Sequence, residues 1–168
     1  MNARAAWRLE RLGFGRVYRY PAGKADWMAA GLPTEGRNAG ALRAGTVARR
    51  DVPTCGPDER VADAAKRARD AGSDLCVVVN DQRVVLGRLR EGALQEGSDE
   101  AVEDVMEEGP TTTRANSDLQ ELATRLHDHD VASILVTDPD GRLIGVAYRD
   151  DADAVLSQSG DSAASANQ

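Results

Sequence analysis

The chain has 168 residues, of which 41% are apolar and only 4% aromatic, and it carries a net charge of −7. That length suits one compact domain with at most a small appendage, its core filled by Val, Leu and Ala. The acidic balance argues against nucleic-acid binding, since arginines interleave with Asp and Glu and leave no basic face, and no apolar run approaches the ~20 residues of a membrane span.

Residues 1–36 come first, a block marked by Trp7, Phe14, Tyr18 and Trp27. Arg4, Arg8, Glu10 and Arg11 interrupt any signal-peptide core, so the protein is expected in the cytoplasm. Residues 37–45 hold two glycines and no periodicity and read as a linker. The organised body follows as two units, 46–98 and 99–156, related by a gap-free shift of 58 residues that carries Thr54 onto Thr112. The same shift lays Val61, Ala64, Ala65 and Ala68 on Leu119, Leu122, Ala123 and Leu126. It also lays Cys76, Val77 and Val78 on Ile134, Leu135 and Val136, and Val85, Leu86 and Gly87 on Leu143, Ile144 and Gly145.

Each unit opens on an extended piece ending near Thr54 or Thr112. Asp58 or Asn116 is the expected N-cap, and apolar residues at i, i+3, i+4 and i+7 then predict a helix. Gly72 ends the first helix, and the second breaks near Asp130. Strands are predicted at 75–79 and 133–137, apolar enough to be buried on both faces. The turns Asn80-Asp81-Gln82-Arg83 and Asp138-Pro139-Asp140-Gly141 lead to strands 84–89 and 142–147. Short helices near 91–96 and 150–156 close the units, giving β-α-β-β-α twice. Residues 157–168 are small and polar and are expected to be disordered.

In this order of elements, residues 46–156 resemble a tandem pair of CBS domains, a Bateman module. The opening segments Thr46-Val47-Ala48 and Glu103-Asp104-Val105-Met106 carry the resemblance together with the final strand and its glycine. It implies an α/β fold of two βαββα repeats in a pseudo-twofold arrangement, a homodimer, and a regulatory rather than enzymatic role. It also implies clefts for an adenine nucleotide (AMP, ADP or ATP), the only cofactor-like ligand expected. The family's binding run is a glycine, a Thr or Ser three residues on, and an Asp three residues after that. The second repeat offers Gly145-Val146-Ala147-Tyr148-Arg149-Asp150-Asp151, with Tyr148 in the hydroxyl position. Asp151 is thereby the candidate acceptor of both ribose hydroxyls, and Arg149 a candidate phosphate ligand. Gly145, Val146, Tyr148 and, on the opening strand, Thr112 complete the set. Asp151 has a second, compatible reading as N-cap of the closing helix; Tyr148 and Thr112 have alternatives as a packed ring and an ordinary strand residue. The first repeat has Arg90 and Ala93 at the Thr and Asp positions and so lacks the ribose acceptor.

Residues 3–36 resemble the C-terminal end of a rhodanese-like domain, through Arg4-Ala5-Ala6-Trp7-Arg8-Leu9, Leu12-Gly13-Phe14, Val17-Tyr18, Ala22-Gly23, Trp27 and Gly31–Gly36. The resemblance implies a helix, a short strand and a second helix, but the family's nucleophilic Cys would precede Met1, so no sulfurtransferase activity is expected. Cys76 reads as a buried thiol and Cys55, among Thr54, Gly56 and Pro57, as an accessible one. His127 and His129 point apart on a helix and imply no metal site. The alternative to nucleotide sensing is a ligand-free dimerising scaffold.

Overall fold

The computed structural model describes residues 8–18, 23–30, 32–36 and 40–165. Helix α1 (Gly23–Ala29) precedes the body. The first repeat comprises α2 (Ala44–Val47), β1 (Thr54–Cys55), α3 (Val61–Asp70), β2 (Leu75–Val79), β3 (Val85–Arg90) and α4 (Glu91–Glu96). The second comprises α5 (Val102–Val105), β4 (Glu107–Glu108), β5 (Thr112–Arg114), α6 (Leu119–Asp128), β6 (Ser133–Thr137), β7 (Leu143–Tyr148) and α7 (Arg149–Ser165). The strands form two sheets, β1-β2-β3-β4 and β5-β6-β7.

Burial on both sides explains the unbroken apolar strands. A strand sends successive side chains to opposite faces. Cys76 and Val78 join the helix-facing core of the first repeat with Val61, Ala64, Ala65 and Ala68. Leu75 and Val77 point the other way and meet Leu135, Leu143 and Val146 of the second sheet. Ile134 and Val136 repeat the helix-facing pattern with Leu119, Leu122 and Leu126. The two sheets therefore pack face to face, each backed by its own helices.

The contacts themselves obey the 58-residue shift. Thr54 lies opposite Val77 in one parallel pair, and Thr112 opposite Leu135 in the other. Both antiparallel pairs slip register at the same place, after Val78 and after Val136. Arg43 bridges Asp118 while Arg60 bridges Ala101, an exchange in which each repeat holds the segment that leads into the other. Val84 bridges Arg142, its own equivalent, so the pseudo-twofold axis passes between them. The α/β fold of two paired repeats expected from the resemblance is thus observed.

Several local expectations change. Helix α6 is capped by Asp118, whose carboxylate accepts from the N–H groups of Gln120 and Glu121, and not by Asn116. In α3 the same place is Arg60, which has no capping oxygen, so Asp58 does not cap either. Gly72 (φ 62°) and Asp130 (φ 48°) both take the left-handed conformation that ends a helix. Ala44, expected in the linker, is fully buried in α2, where Ala44 and Gly45 donate to the carbonyls of Ser117 and Ala115. Cys55 is buried, not accessible, because β1 pairs with β2 and turns it toward α3. The neighbouring Cys76 and burial hold its thiol above the ordinary range, which leaves it unreactive.

Helix α7 does not stop near 156 but runs to Ser165, through most of the stretch expected to be disordered. Ser157 and Ser159 donate to the carbonyls of Asp153 and Val155 one turn back, so their hydroxyls are satisfied inside the helix. Ahead of the body, α1 is present, but residues 16–18 form no strand. Phe14 and Tyr18 are 59% and 81% exposed and so do not pack on the repeats. Trp27 turns its indole N–H to the Pro33 carbonyl at 2.8 Å. Trp7 and residues 166–168 lie outside the described residues.

Candidate functional site

Strand β7 and the first turn of α7 carry most of the predicted site, and Gly145 shows what organises it. A Cβ there would lie 2.3 Å from the carbonyl oxygen of Arg49. The opening segment of the first repeat crosses β7 at this point, and only a hydrogen side chain admits it. Arg49 and Val146 exchange backbone hydrogen bonds of 2.9 and 3.0 Å. Val146 sends its own side chain into the inter-sheet core, fully buried, and so offers a ligand only its backbone.

This crossing brings the Arg49 guanidinium onto Asp151. Nε and a terminal N–H₂ reach the two carboxylate oxygens at 2.6 and 2.7 Å, a two-pronged pair. The hydrogen bonds from Arg49 hold the Asp151 carboxyl below the usual carboxylate range. The same guanidinium stands 4.7 Å from the centre of the Tyr148 ring. Burial pushes the Tyr148 phenol up, with the Asp74 charge adding to it and the Ser73 hydroxyl opposing it. Tyr148 therefore reaches the corner between α3 and β2 of the other repeat.

The predicted residues Gly145, Val146, Tyr148 and Asp151 thus come together, around an arginine that sequence reasoning missed. The signal for it was available, because the repeat shift places Arg49 opposite Glu107. Arg149 engages Asp130 at 3.1 Å, so its expected phosphate role meets a carboxylate already in place. Thr112 is exposed and stands two strands from Val146, opposite Leu135, which itself faces Val146. Asp151 lies inside the first turn of α7, which begins at Arg149, so it is not the N-cap; its charge there favours the helix start.

The pseudo-symmetric place in the first repeat is built with opposite charge. Gly87 admits β4 as Gly145 admits Arg49, with Met106 and Glu107 against it. Glu107 accepts from Arg88 through two contacts of 2.9 Å and from Arg90 at 2.7 Å. Those guanidinium groups lower its pKa to about 2. Ala93 stands where Asp151 stands in the second repeat. Beside Arg88 and Arg90 opens a cavity of about 340 Å³, bounded also by Thr111, Arg125, His129 and Ser133. Among the described residues no group of three His, Cys, Asp or Glu side chains is arranged to hold a metal ion, and no helix is long and apolar enough to cross a membrane.

Comparison with known proteins places these clefts in context. The CBS domain family matches residues 44–96 and 102–157. An uncharacterised protein of Methanopyrus kandleri is 28% identical over 115 residues, covering 64% of this chain and 59% of that protein. Thus the chain spans under two thirds of the relative's length. Among solved structures, CBSX2 of Arabidopsis thaliana in complex with AMP superposes with a TM-score of 0.62 at 21% identity, over 70% of this chain and 97% of that one. The cytosolic domain of the Mg2+ channel MgtE in complex with ATP gives 0.62 at 22% identity, over 70% of this chain and 50% of that one. At such identities the likeness is one of fold. The resemblance of residues 3–36 to a rhodanese domain finds no support in these matches, and the family match begins only at residue 44.

Proposed function

This chain is a member of the CBS domain family, and from that premise we propose that its paired repeats form a regulatory module that senses an adenine nucleotide (AMP, ADP or ATP) in the cleft around Asp151. The observation that carries the reading is the Asp151 carboxylate, set at the end of the Gly145 run with both oxygens presented to the segment entering the other repeat. Two vicinal ribose hydroxyls match the two oxygens of a carboxylate, which here they would take over from the guanidinium. The AMP held by CBSX2 and the ATP held by the MgtE domain support the ligand class.

Arg49 makes the cleft a switch. A ribose takes Asp151 only as Arg49 leaves it, and the freed guanidinium then faces the incoming phosphate. The Arg49 side chain is 60% exposed, so solvent screens the pair and a ligand displaces it readily. Binding then loosens the tie between residue 49 and the start of α7, a conformational signal at a regulatory site and not a catalytic step. The protein acts in the cytoplasm as a homodimer in this reading.

Calorimetry with AMP, ADP and ATP tests it. The wild type binds at least one of them, and Asp151→Ala weakens that binding tenfold or more; no heat with the wild type sinks the reading. One observation favours a second reading, a ligand-free dimerising scaffold: Arg49 already satisfies Asp151. In that case the chain sediments as a dimer whose mass and stability do not respond to any of the three nucleotides.

A further inference from the structure

Five of the six aromatic residues stand at or before residue 27, and Tyr148 is the other. Charge divides the chain at nearly the same place. Residues 1–43 hold eight Lys or Arg against three Asp or Glu, a net of +5, whereas residues 44–168 hold 13 against 25, a net of −12. Among the described residues, every exposed large apolar side chain lies in this basic arm: Leu12, Phe14, Tyr18, Trp27 and Leu32. Apolar side chains left together in solvent mark a surface that meets a partner. Helix α1 tethers the arm beside the second repeat, where Met28 and Leu32 border a crevice shared with Gly45 and Ala115. Phe14 and Tyr18, ahead of that tether, are left uncovered by their own chain.

The first repeat has an apolar groove at a place that the second ties shut. The 58-residue shift puts Ala68 where the second repeat has Leu126, and Arg69 and Gln95 where it has His127 and Asp153. His127 meets Asp153 at 2.9 Å and joins α6 to α7. Gln95 instead donates to Glu91 of its own helix at 2.8 Å. The smaller Ala68 and the missing pair leave an opening of about 510 Å³ between α3 and α4. Buried Ala65, Ala68 and Leu94 line it, and Asp74 and Glu91 put acid on its rim.

We propose that the basic arm of one chain docks into the α3–α4 groove of a second copy, with Phe14 and Tyr18 entering the groove and Arg8 and Arg16 facing the acid on its rim. The inference rests on the homodimer proposed above and names the surfaces that build it. Three observations select a second copy as the occupant. The arm supplies rings where the groove supplies small side chains, and burying each ring takes about 150–250 Å² out of water. The arm is basic and the body acidic, so opposite charges steer the two surfaces together. The arm is tethered at the second repeat while the groove lies on the first, which directs it to another chain's groove. Each chain carries one arm and one groove, so two copies fill both and close about a twofold axis.

Sedimentation of the full chain, together with disulfide trapping, tests the arrangement. The wild type sediments as a dimer, and Phe14→Ser combined with Tyr18→Ser weakens that dimer tenfold or more. Both side chains are exposed, so the repeats stay folded. Raising sodium chloride from about 0.1 M to about 0.5 M also weakens the wild-type dimer, by screening the arm's charge. When Tyr18→Cys is mixed with Gln95→Cys and oxidised, a mixed covalent dimer forms. Mixed with Asp81→Cys, in the turn between β2 and β3, it forms far less. The native Cys55 and Cys76 are buried and do not compete. A dimer that ignores the arm substitutions, or equal trapping at positions 95 and 81, overturns the docking and leaves the homodimer reading intact. A wild-type chain that stays monomeric at every concentration overturns both. Monomers that float with phosphatidylserine vesicles, and cease to in the arm variant, give the arm to a membrane and overturn the second copy.

Discussion

Gly145 and Gly87 occupy the same place in the two repeats, yet their tolerance to a side chain differs. At Gly145 the obstruction is backbone, the carbonyl oxygen and carbon of Arg49 at 2.3 and 2.9 Å from a Cβ. At Gly87 the nearest atom is the Met106 sulfur at 2.6 Å, the end of a flexible side chain, with a carbonyl oxygen at 3.0 Å. Gly145→Ala must push the crossing segment off β7, an overpacking cost of about 1–3 kcal/mol. Gly87→Ala lets Met106 turn aside and costs less. Thermal unfolding of the two variants measures this order, and equal losses would show that the crossing segment yields as easily as a methionine. The Arg49–Asp151 pair depends on the same crossing, since its geometry follows from where the backbone of residue 49 lies.

Elements of the two repeats match in span while differing at their ends. Helices α3 and α6 are ten residues each, with the same four apolar positions buried. Only α6 has a side-chain cap, because Asp118 has its equivalent in Arg60. Asp118→Ala leaves two N–H groups of α6 without that acceptor and is expected to cost about 1 kcal/mol. Arg60→Ala removes no capping bond and costs less. Urea denaturation of both variants tests the difference; a loss no larger for Asp118→Ala would assign the start of α6 to packing alone. The turns are alike in mechanism: Asn80 accepts from Gln82 and Val84, and Asp138 from Asp140 and Arg142. Arg83 (φ 61°) and Gly141 (φ 83°) hold the left-handed position that each turn needs.

At the scale of the molecule, the exchange of entry segments ties the repeats together. Residue 49, in the opening segment of the first repeat, is held by β7 of the second; Glu107, in the opening segment of the second, is held by β3 of the first. Charge reinforces the second tie. The carboxyl of Glu107 lies near 2 in the fold against an ordinary value of 4.5. A lowered carboxyl pKa stabilises the fold above the ordinary value, and that stability drains away as pH falls from about 4.5 toward 2. Side chains of Glu107 and Arg90 are partly solvated, which keeps the effect modest. Stability measured at fixed urea from pH 6 down to pH 2 should therefore fall more steeply for the wild type than for Glu107→Gln. Parallel curves would mean that other carboxylates govern the acid limb.

Much of this arrangement is legible in the amino-acid sequence, for a physical reason. Strand and helix periods are local, so the apolar positions of residues 61–70, 75–79, 119–128 and 133–137 reveal their elements, and a gap-free repeat implies a pseudo-twofold pair. The glycine of the final strand and Asp151 are also visible, since their spacing lies within one short run. What tertiary structure decided is which group stands against which. Arg49 lies 102 residues from Asp151 and meets it only because the entry segment crosses the far sheet. Cys55 is buried by a strand pairing that its Gly and Pro neighbours conceal. The first cleft, legible only as one that had lost its ribose acceptor, is bounded by Arg88, Arg90 and Arg125, which only the fold brings to one cavity. Charge along a chain is a list; its sign at a cleft depends on the partners the fold supplies.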